Sequence, residues 1–163
     1  MVAQNVVFGI IAAAMIVAAV KVVTTPNVVR AVLYLVIVLA GAAAQYILLA
    51  AEFVFAVQVL VYIGAIVILF LFGTMLTRAP IGRASDLDND QRWLGAVVGL
   101  FLLGILVAVL WDAFSDRHIH FGAVQRTSDV GNAIFGPYLI PFEVVSVLLL
   151  AALVGSVALA RRD

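Results

Sequence analysis

The sequence predicts an all-α integral membrane protein with five transmembrane helices, and two observations carry this prediction. Of the 163 residues, 66% are hydrophobic and only 11% are charged, whereas a typical soluble domain is about 45–50% apolar and about 25% charged. The mean hydropathy of +1.26 agrees with this contrast. The charges are also segregated, which leaves five long runs without any: Met1–Val20, Ala31–Ala51, Phe53–Thr77, Trp93–Trp111 and Val144–Ala160.

The same composition excludes several classes of protein. A soluble fold of this size would expose apolar patches far larger than a few hundred Å². The chain contains no cysteine, which excludes a disulfide scaffold and thiolate ligation of an iron–sulfur cluster by this chain. Nine basic residues balance nine acidic ones, so no basic face exists to bind nucleic acid. The expected surroundings are therefore lipid and other membrane proteins.

Each uncharged run is predicted to form a helix, because backbone polar groups in lipid must be satisfied within the segment. At 1.5 Å per residue the runs span roughly 25–38 Å, against a hydrocarbon core of about 30 Å. No alternation typical of β-barrel strands occurs. The prediction is a single transmembrane domain over residues 1–163, with helices at about 2–23, 28–50, 53–77, 93–113 and 139–160.

The first helix is predicted to be retained, because no basic segment precedes its apolar stretch as in a signal peptide. A turn around Pro26 leads into the second helix, and a tighter one at 50–52 leads into the third. Residues 78–92 form a polar loop with alternating charges, predicted to be a cytoplasmic connector. The longest connection, 112–137, is predicted to be an outer loop before the fifth helix. No internal repeat supports an inverted-repeat transporter.

Basic residues predict the orientation, because they accumulate in cytoplasmic loops. Seven of the nine lie on one side of the predicted topology and two on the other. The N-terminus is therefore expected outside and the C-terminus in the cytoplasm. The seven are Lys21, Arg30, Arg78, Arg83, Arg92, Arg161 and Arg162, and the two are Arg117 and Arg126.

Two carboxylates lie in or at the spans, where charged groups are costly and commonly functional. Glu143, early in the fifth helix, is either a proton-relay or helix-contact group, or it extends to the outer interface. Glu52, at the turn before the third helix, either takes part in proton movement or offsets the positive end of the helix dipole.

The third helix holds the most informative polar residues. Gln58 and Tyr62 are four positions apart, on one face of an α-helix. Tyr62 and Gly64 fall near the bilayer midplane, where a tyrosine hydroxyl needs a buried partner. Gly64 permits either close helix packing or a local irregularity such as a π-bulge. From the residues alone, a packing notch and a hinge remain equally open.

The sequence contains no catalytic or cofactor-binding constellation. His118 and His120 have no third ligand nearby, so we expect a solvated loop and no metal site. Nucleotide-binding glycine patterns and the nucleophile-elbow motif do not occur. We therefore predict no catalytic, cofactor-binding or metal residues in this chain.

Three segments resemble subunit J, also called chain 6, of NADH–quinone oxidoreductase, which is respiratory complex I. The string QVLVYIGAI at 58–66, followed by LFLF at 69–72, resembles the signature of the family's third helix. The stretch NVVRAVLYL at 27–35 resembles its entry to helix two, and FGPY at 135–138, leading to Glu143, its entry to helix five. Val28 and Arg30 stand where the family often has proline and histidine. Gln58 stands where some members carry glutamate.

The resemblance implies a membrane-arm subunit beside the quinone-reducing module. It implies subunits of the A, H, K, L, M and N types as partners, in a hetero-oligomer in the bacterial cell (inner) membrane. NADH, FMN, iron–sulfur clusters and a quinone would then be used by other subunits. It also implies that the third helix switches between π-bulged and regular forms near Tyr62 and Gly64, gating a water-connected proton path.

The sequence leaves two alternatives to this function open. One is a small subunit of a related cation/proton antiporter or membrane-bound hydrogenase complex. The other, less favoured, is a stand-alone small transporter, because a lone five-helix chain offers few polar groups to line a pathway.

Overall fold

The computed structural model describes residues 2–76, 91–115 and 126–161. Within these ranges, five helices are long and apolar enough to cross a membrane, which confirms the predicted all-helical class. The helices are α1 (Val2–Thr24), α2 (Val28–Leu48), α3 (Glu52–Leu76), α4 (Arg92–Phe114), a short α5 (Thr127–Ile134) and α6 (Leu139–Ala160). Most of the predicted 78–92 connector, part of the 112–137 loop and both histidines lie outside the described residues.

Helices α1 and α2 pack against each other as an antiparallel hairpin. The Gln4 amide near the start of α1 donates a hydrogen bond of 2.9 Å to the carbonyl of Leu48 at the end of α2. Nearer the middle of the hairpin, the backbone of Gly41 on α2 packs closely against the side chain of Met15 on α1. A Cβ built at position 41 would be only 2.7 Å from the Met15 sulfur. Small residues let helices in lipid approach closely, where packing and not the hydrophobic effect drives association.

The turn from α2 to α3 closes without a glycine. Ala50 adopts a positive φ of 54°. The Ala51 N–H donates to the Tyr46 carbonyl at 2.9 Å, and the Ala50 N–H donates to the Ile47 carbonyl at 2.9 Å. This is the paired arrangement of a Schellman motif, which satisfies carbonyls at a helix end. The short turn directs α3 back along α2.

Helix α3 changes its winding along its length. It is α-helical over Glu52–Val57, π-helical over Gln58–Val67 and α-helical again over Ile68–Leu76. All three parts contact α2. π-Helical turns are rare, occur mostly as single turns within α-helices, and are frequent at functional sites.

The second half of the chain is packed differently. Among the described residues, α4 contacts no other helix, and α6 contacts only α5. No position of their apolar spans is buried among the described residues. Helix α5 lies between the two halves, since it contacts both the Glu52–Val57 part of α3 and the start of α6.

Candidate functional site

The candidate site is the π-helical segment of α3 where it lies against α2. Gln58, its first residue, is only 7% exposed, and it is the buried polar residue of the described chain. Its amide nitrogen lies 3.5 Å from the Leu39 carbonyl of α2, at the long limit for a hydrogen bond. A polar group buried in apolar surroundings needs such a partner. Gln58 is therefore held between the two helices.

Gly64 lies inside the same π-helical segment. A Cβ added at this position would lie 3.3 Å from the carbonyl oxygen of Val59, five residues earlier. That distance is tight for a carbon atom, so a larger residue would require the Val59 carbonyl to move. The glycine thus suits the π-helical winding in particular.

Tyr62 has different surroundings from Gln58, although the two are four residues apart. Its side chain is 47% exposed, and within the described part of the chain its hydroxyl has no hydrogen-bond partner. The structure brings Gln58 and Tyr62 onto one π-helical segment but not into one buried site. Tyr62 lies on a surface that the other described residues leave partly uncovered.

The two carboxylates lie away from this segment. Glu52 is the first residue of α3 and is exposed, and it precedes the π-helical winding by six positions. Glu143 lies on α6 and is also exposed, while its backbone carbonyl accepts a hydrogen bond of 2.8 Å from the Ser146 hydroxyl. Since α6 does not contact α3, the structure does not bring Glu143 together with Gln58, Tyr62 and Gly64.

The π-helical segment offers an amide and a phenol as polar side-chain groups. An amide and a phenol can orient water or accept and donate hydrogen bonds, and only the phenol can ionise. Within residues 2–76, 91–115 and 126–161, no three His, Asp or Glu side chains are grouped so that they could hold a metal ion. The polar side chains of this segment can take part in hydrogen bonds.

Sequence reasoning assigned residues 112–137 to a loop and missed α5. The helix begins after Arg126, whose backbone N–H donates to the Asp129 carboxylate at 3.1 Å. Val130, Ala133 and Ile134, at helical spacing, are half-buried. Apolar residues at that spacing and an acidic residue in the first turn both favour a helix. At eight residues, the helix is too short for the pattern to stand out.

Comparison with known proteins places the chain in a family. The family described as NADH-ubiquinone/plastoquinone oxidoreductase chain 6 matches residues 18–159, which include the candidate segment and all five spanning helices at least in part. The chain belongs to this family.

Individual members are similar over nearly the whole chain. NADH-quinone oxidoreductase subunit J of Pseudomonas aeruginosa is 37% identical, covering 91% of this chain and 91% of its own length. NAD(P)H-quinone oxidoreductase chain 6 of a Synechocystis species is 38% identical, covering 98% and 82%. F(420)H(2) dehydrogenase subunit J of Methanosarcina mazei is 37% identical, covering 98% and 92%. The chain is thus a multi-pass membrane protein of a family of respiratory complex subunits.

Proposed function

We propose that this chain is a membrane-arm subunit of a proton-pumping NADH:quinone oxidoreductase, in which α3 gates proton access by changing its winding. In this proposal Gln58 and Tyr62 orient water, and Gly64 absorbs the backbone change because it carries no Cβ. Glu52, six residues before Gln58, and Glu143 on α6 are the carboxylates that we propose for such a path. The chain itself catalyses no redox step.

The observation that carries the proposal is the π-helical winding of Gln58–Val67 in a helix that is otherwise regular. The segment begins at the buried Gln58 and contains Gly64, where a side chain would press on the Val59 carbonyl. In this proposal the helix has two windings available, the π-helical one and a regular one, which differ by small backbone shifts. A change between the two windings rotates the side chains that follow the segment. Such a rotation can open or break a hydrogen-bonded path.

Membership of the family supports a proposal for the surroundings of this chain. We propose an N-terminus outside the cell and a C-terminus in the cytoplasm of a bacterial inner membrane. The neighbours are subunits of the A, H, K, L, M and N types, and α4 and α6 supply uncovered surface for them. NADH, FMN, iron–sulfur clusters and the quinone are then bound by other subunits.

A second candidate function is the same gating role in a complex whose electron donor is not NADH. It is favoured by the similarity to a subunit of an F(420)H(2) dehydrogenase, which covers 98% of this chain. Copurification after mild solubilisation separates the candidates. NADH-oxidising flavin and iron–sulfur subunits support the first, and a deazaflavin-oxidising subunit supports the second. Antiporter-type subunits without either module would instead place the chain in an antiporter or hydrogenase complex.

The gating proposal is tested by Gly64→Val with Gly73→Val as its control. Both glycines lie in α3, but a Cβ at position 73 meets nothing within 4 Å, whereas one at 64 lies 3.3 Å from the Val59 carbonyl. We expect Gly64→Val to favour the regular winding, so that the complex assembles but proton-pumping quinone turnover falls about tenfold or more, corresponding to about 1.4 kcal/mol.

The measurements are complex yield, NADH:quinone turnover and proton pumping in reconstituted vesicles. The control variant should retain all three. Normal turnover and pumping in Gly64→Val would contradict gating by α3, while loss of assembly in that variant calls for the smaller Gly64→Ala in the same assays.

A further inference from the structure

The short helix α5 is the connection between the two halves of the described chain. It contacts α3 only at Glu52–Val57, the part that ends where the π-helical segment begins at Gln58. It also contacts the start of α6. Since α6 touches no other helix of the described residues, the position of α6 relative to α1–α3 depends, among these residues, on α5.

The corner between α5 and α6 is closely packed. A Cβ at Gly136 would lie 2.7 Å from the Asn132 carbonyl oxygen, so the two backbones approach more closely than any other residue allows. The Tyr138 N–H donates to the Ala133 carbonyl at 3.1 Å across the turn. The rings of Phe135 and Phe142 meet edge to face, with centroids 5.3 Å apart, a favoured geometry for aromatic pairs. These contacts hold the end of α5 close to the start of α6.

We propose that α5, the turn 135–138 and α6 form one rigid unit that pivots on the N-terminal end of α3 and transmits the tilt of α6 to the winding of Gln58–Val67. At 1.5 Å per residue, the 22 residues of α6 form a lever of roughly 33 Å. A tilt of about 5° moves its far end by roughly 3 Å. At the pivot, the same tilt turns the segment Glu52–Val57, which is continuous with the π-helical segment.

This inference assigns a role to Glu143 that does not require contact with α3. Glu143 lies five residues into α6, within the first turns after the corner, so a group that attracts or repels its carboxylate acts on the whole unit. Because helix windings are discrete arrangements, a small movement at the pivot can select between two of them. The inference goes beyond the gating proposal, since it concerns what moves α3 and not what α3 controls.

The test disrupts the apolar face of α5. Val130 is half-buried on this face, whereas Asn132, two residues later, is exposed. Val130→Asp and Asn132→Asp each add one negative charge to the same helix, so Asn132→Asp is the matched control. The structures of both variants are determined by electron cryo-microscopy of the purified complex that contains the chain. The winding of residues 58–67 and the position of the far end of α6 are compared with wild type.

In Val130→Asp we expect α5 to separate from Glu52–Val57, the far end of α6 to shift by roughly 3 Å or to occupy several positions, and residues 58–67 to change winding. Asn132→Asp should match wild type. A separated α5 with α6 and residues 58–67 unchanged overturns the inference, and so does an α5 that stays in contact despite the aspartate.

If Val130→Asp does not assemble, Phe142→Ala, which loosens the corner instead, is compared in the same way, and an unchanged α6 in that variant also contradicts the rigid unit. The readout is structural, so the result does not depend on whether α3 gates protons.

Discussion

The two halves of this chain differ in how far their helices are buried against one another. In α1–α3, buried positions are small or aliphatic, namely Ala18, Val32, Ala43 and Val67, together with the single polar Gln58. In α4 and α6, no position of the span is buried within the described chain. Helices in lipid associate through close packing and not through the hydrophobic effect. The difference indicates that α1–α3 are held by contacts within the chain, whereas the other described residues leave the spans of α4 and α6 uncovered.

The largest effect is expected where the chain holds itself together, at Gly41. Gly41→Leu places a side chain where even a Cβ would be 2.7 Å from the Met15 sulfur. Overpacking of this kind costs about 1–3 kcal/mol, so α1 and α2 should separate and the chain should be lost from membranes. The matched control is Gly9→Leu on α1, where a Cβ meets nothing within 4 Å.

The measurements for this pair are the amount of chain in isolated membranes and its thermal denaturation in mild detergent. Equal behaviour of Gly41→Leu and Gly9→Leu would show that the hairpin is not stabilised by the Met15 contact. Close packing of small residues would then not be what holds α1 and α2 together.

The next effect concerns α4, which the other described residues leave uncovered. Gly95 and Gly99 are four residues apart on α4, and a Cβ at either meets nothing within 4 Å. Small residues at this spacing commonly form helix contacts in membranes. We expect Gly99→Leu to leave the chain's own denaturation unchanged but to lower recovery of the assembled complex about tenfold, which corresponds to about 1.4 kcal/mol.

Recovery is measured by copurification from membranes that contain equal amounts of each variant chain. Ser156→Leu on α6 serves as a comparison, because among the described residues the Ser156 hydroxyl donates to the Leu153 carbonyl of its own helix, at 2.8 Å, and to no other helix. Full recovery of the complex with Gly99→Leu would mean that this face of α4 is covered by lipid and not by a partner helix.

The sequence predicted the spans because a run of about twenty uncharged residues is a strong one-dimensional signal. It drew attention to Gln58, Tyr62 and Gly64 because polar and flexible residues are scarce in such runs. It did not predict that Gln58 is buried while Tyr62 is exposed. That difference depends on where α2 lies, and α2 is positioned by the Gly41 contact with α1, which no local pattern in α3 encodes.

The short helix α5 illustrates the other limit. Its half-buried residues have helical spacing, but eight residues within a long connection give little periodicity. Its importance comes from what it contacts, namely the start of α3 and the start of α6. The sequence alone gives the FGPY string at 135–138 no structural role beyond a resemblance. The structure shows why a glycine stands in it, since Gly136 lies too close to the Asn132 carbonyl for a Cβ.

The smallest effect on stability, and the sharpest on function, is expected at Gln58. The chain offers an internal control, because the amides of Gln58 and Gln45 both lie 3.5 Å from a carbonyl oxygen of a neighbouring helix. Hydrogen bonds between membrane helices contribute about 0.6 kcal/mol on average, so Gln58→Leu and Gln45→Leu should destabilise the chain by similarly small amounts. Thermal denaturation of both variants in detergent checks this equality.

Only Gln58 begins the π-helical segment, so only Gln58→Leu should lower proton pumping, with Gln45→Leu close to wild type in the same reconstituted vesicles. If both variants pump normally, Gln58 is a packing residue and orients no water on the path. If both lose pumping equally, the cause is looser contact between helices and not the amide itself. A selective loss in Gln58→Leu, at equal stability, separates the role of this side chain in proton movement from its role in holding α3 against α2.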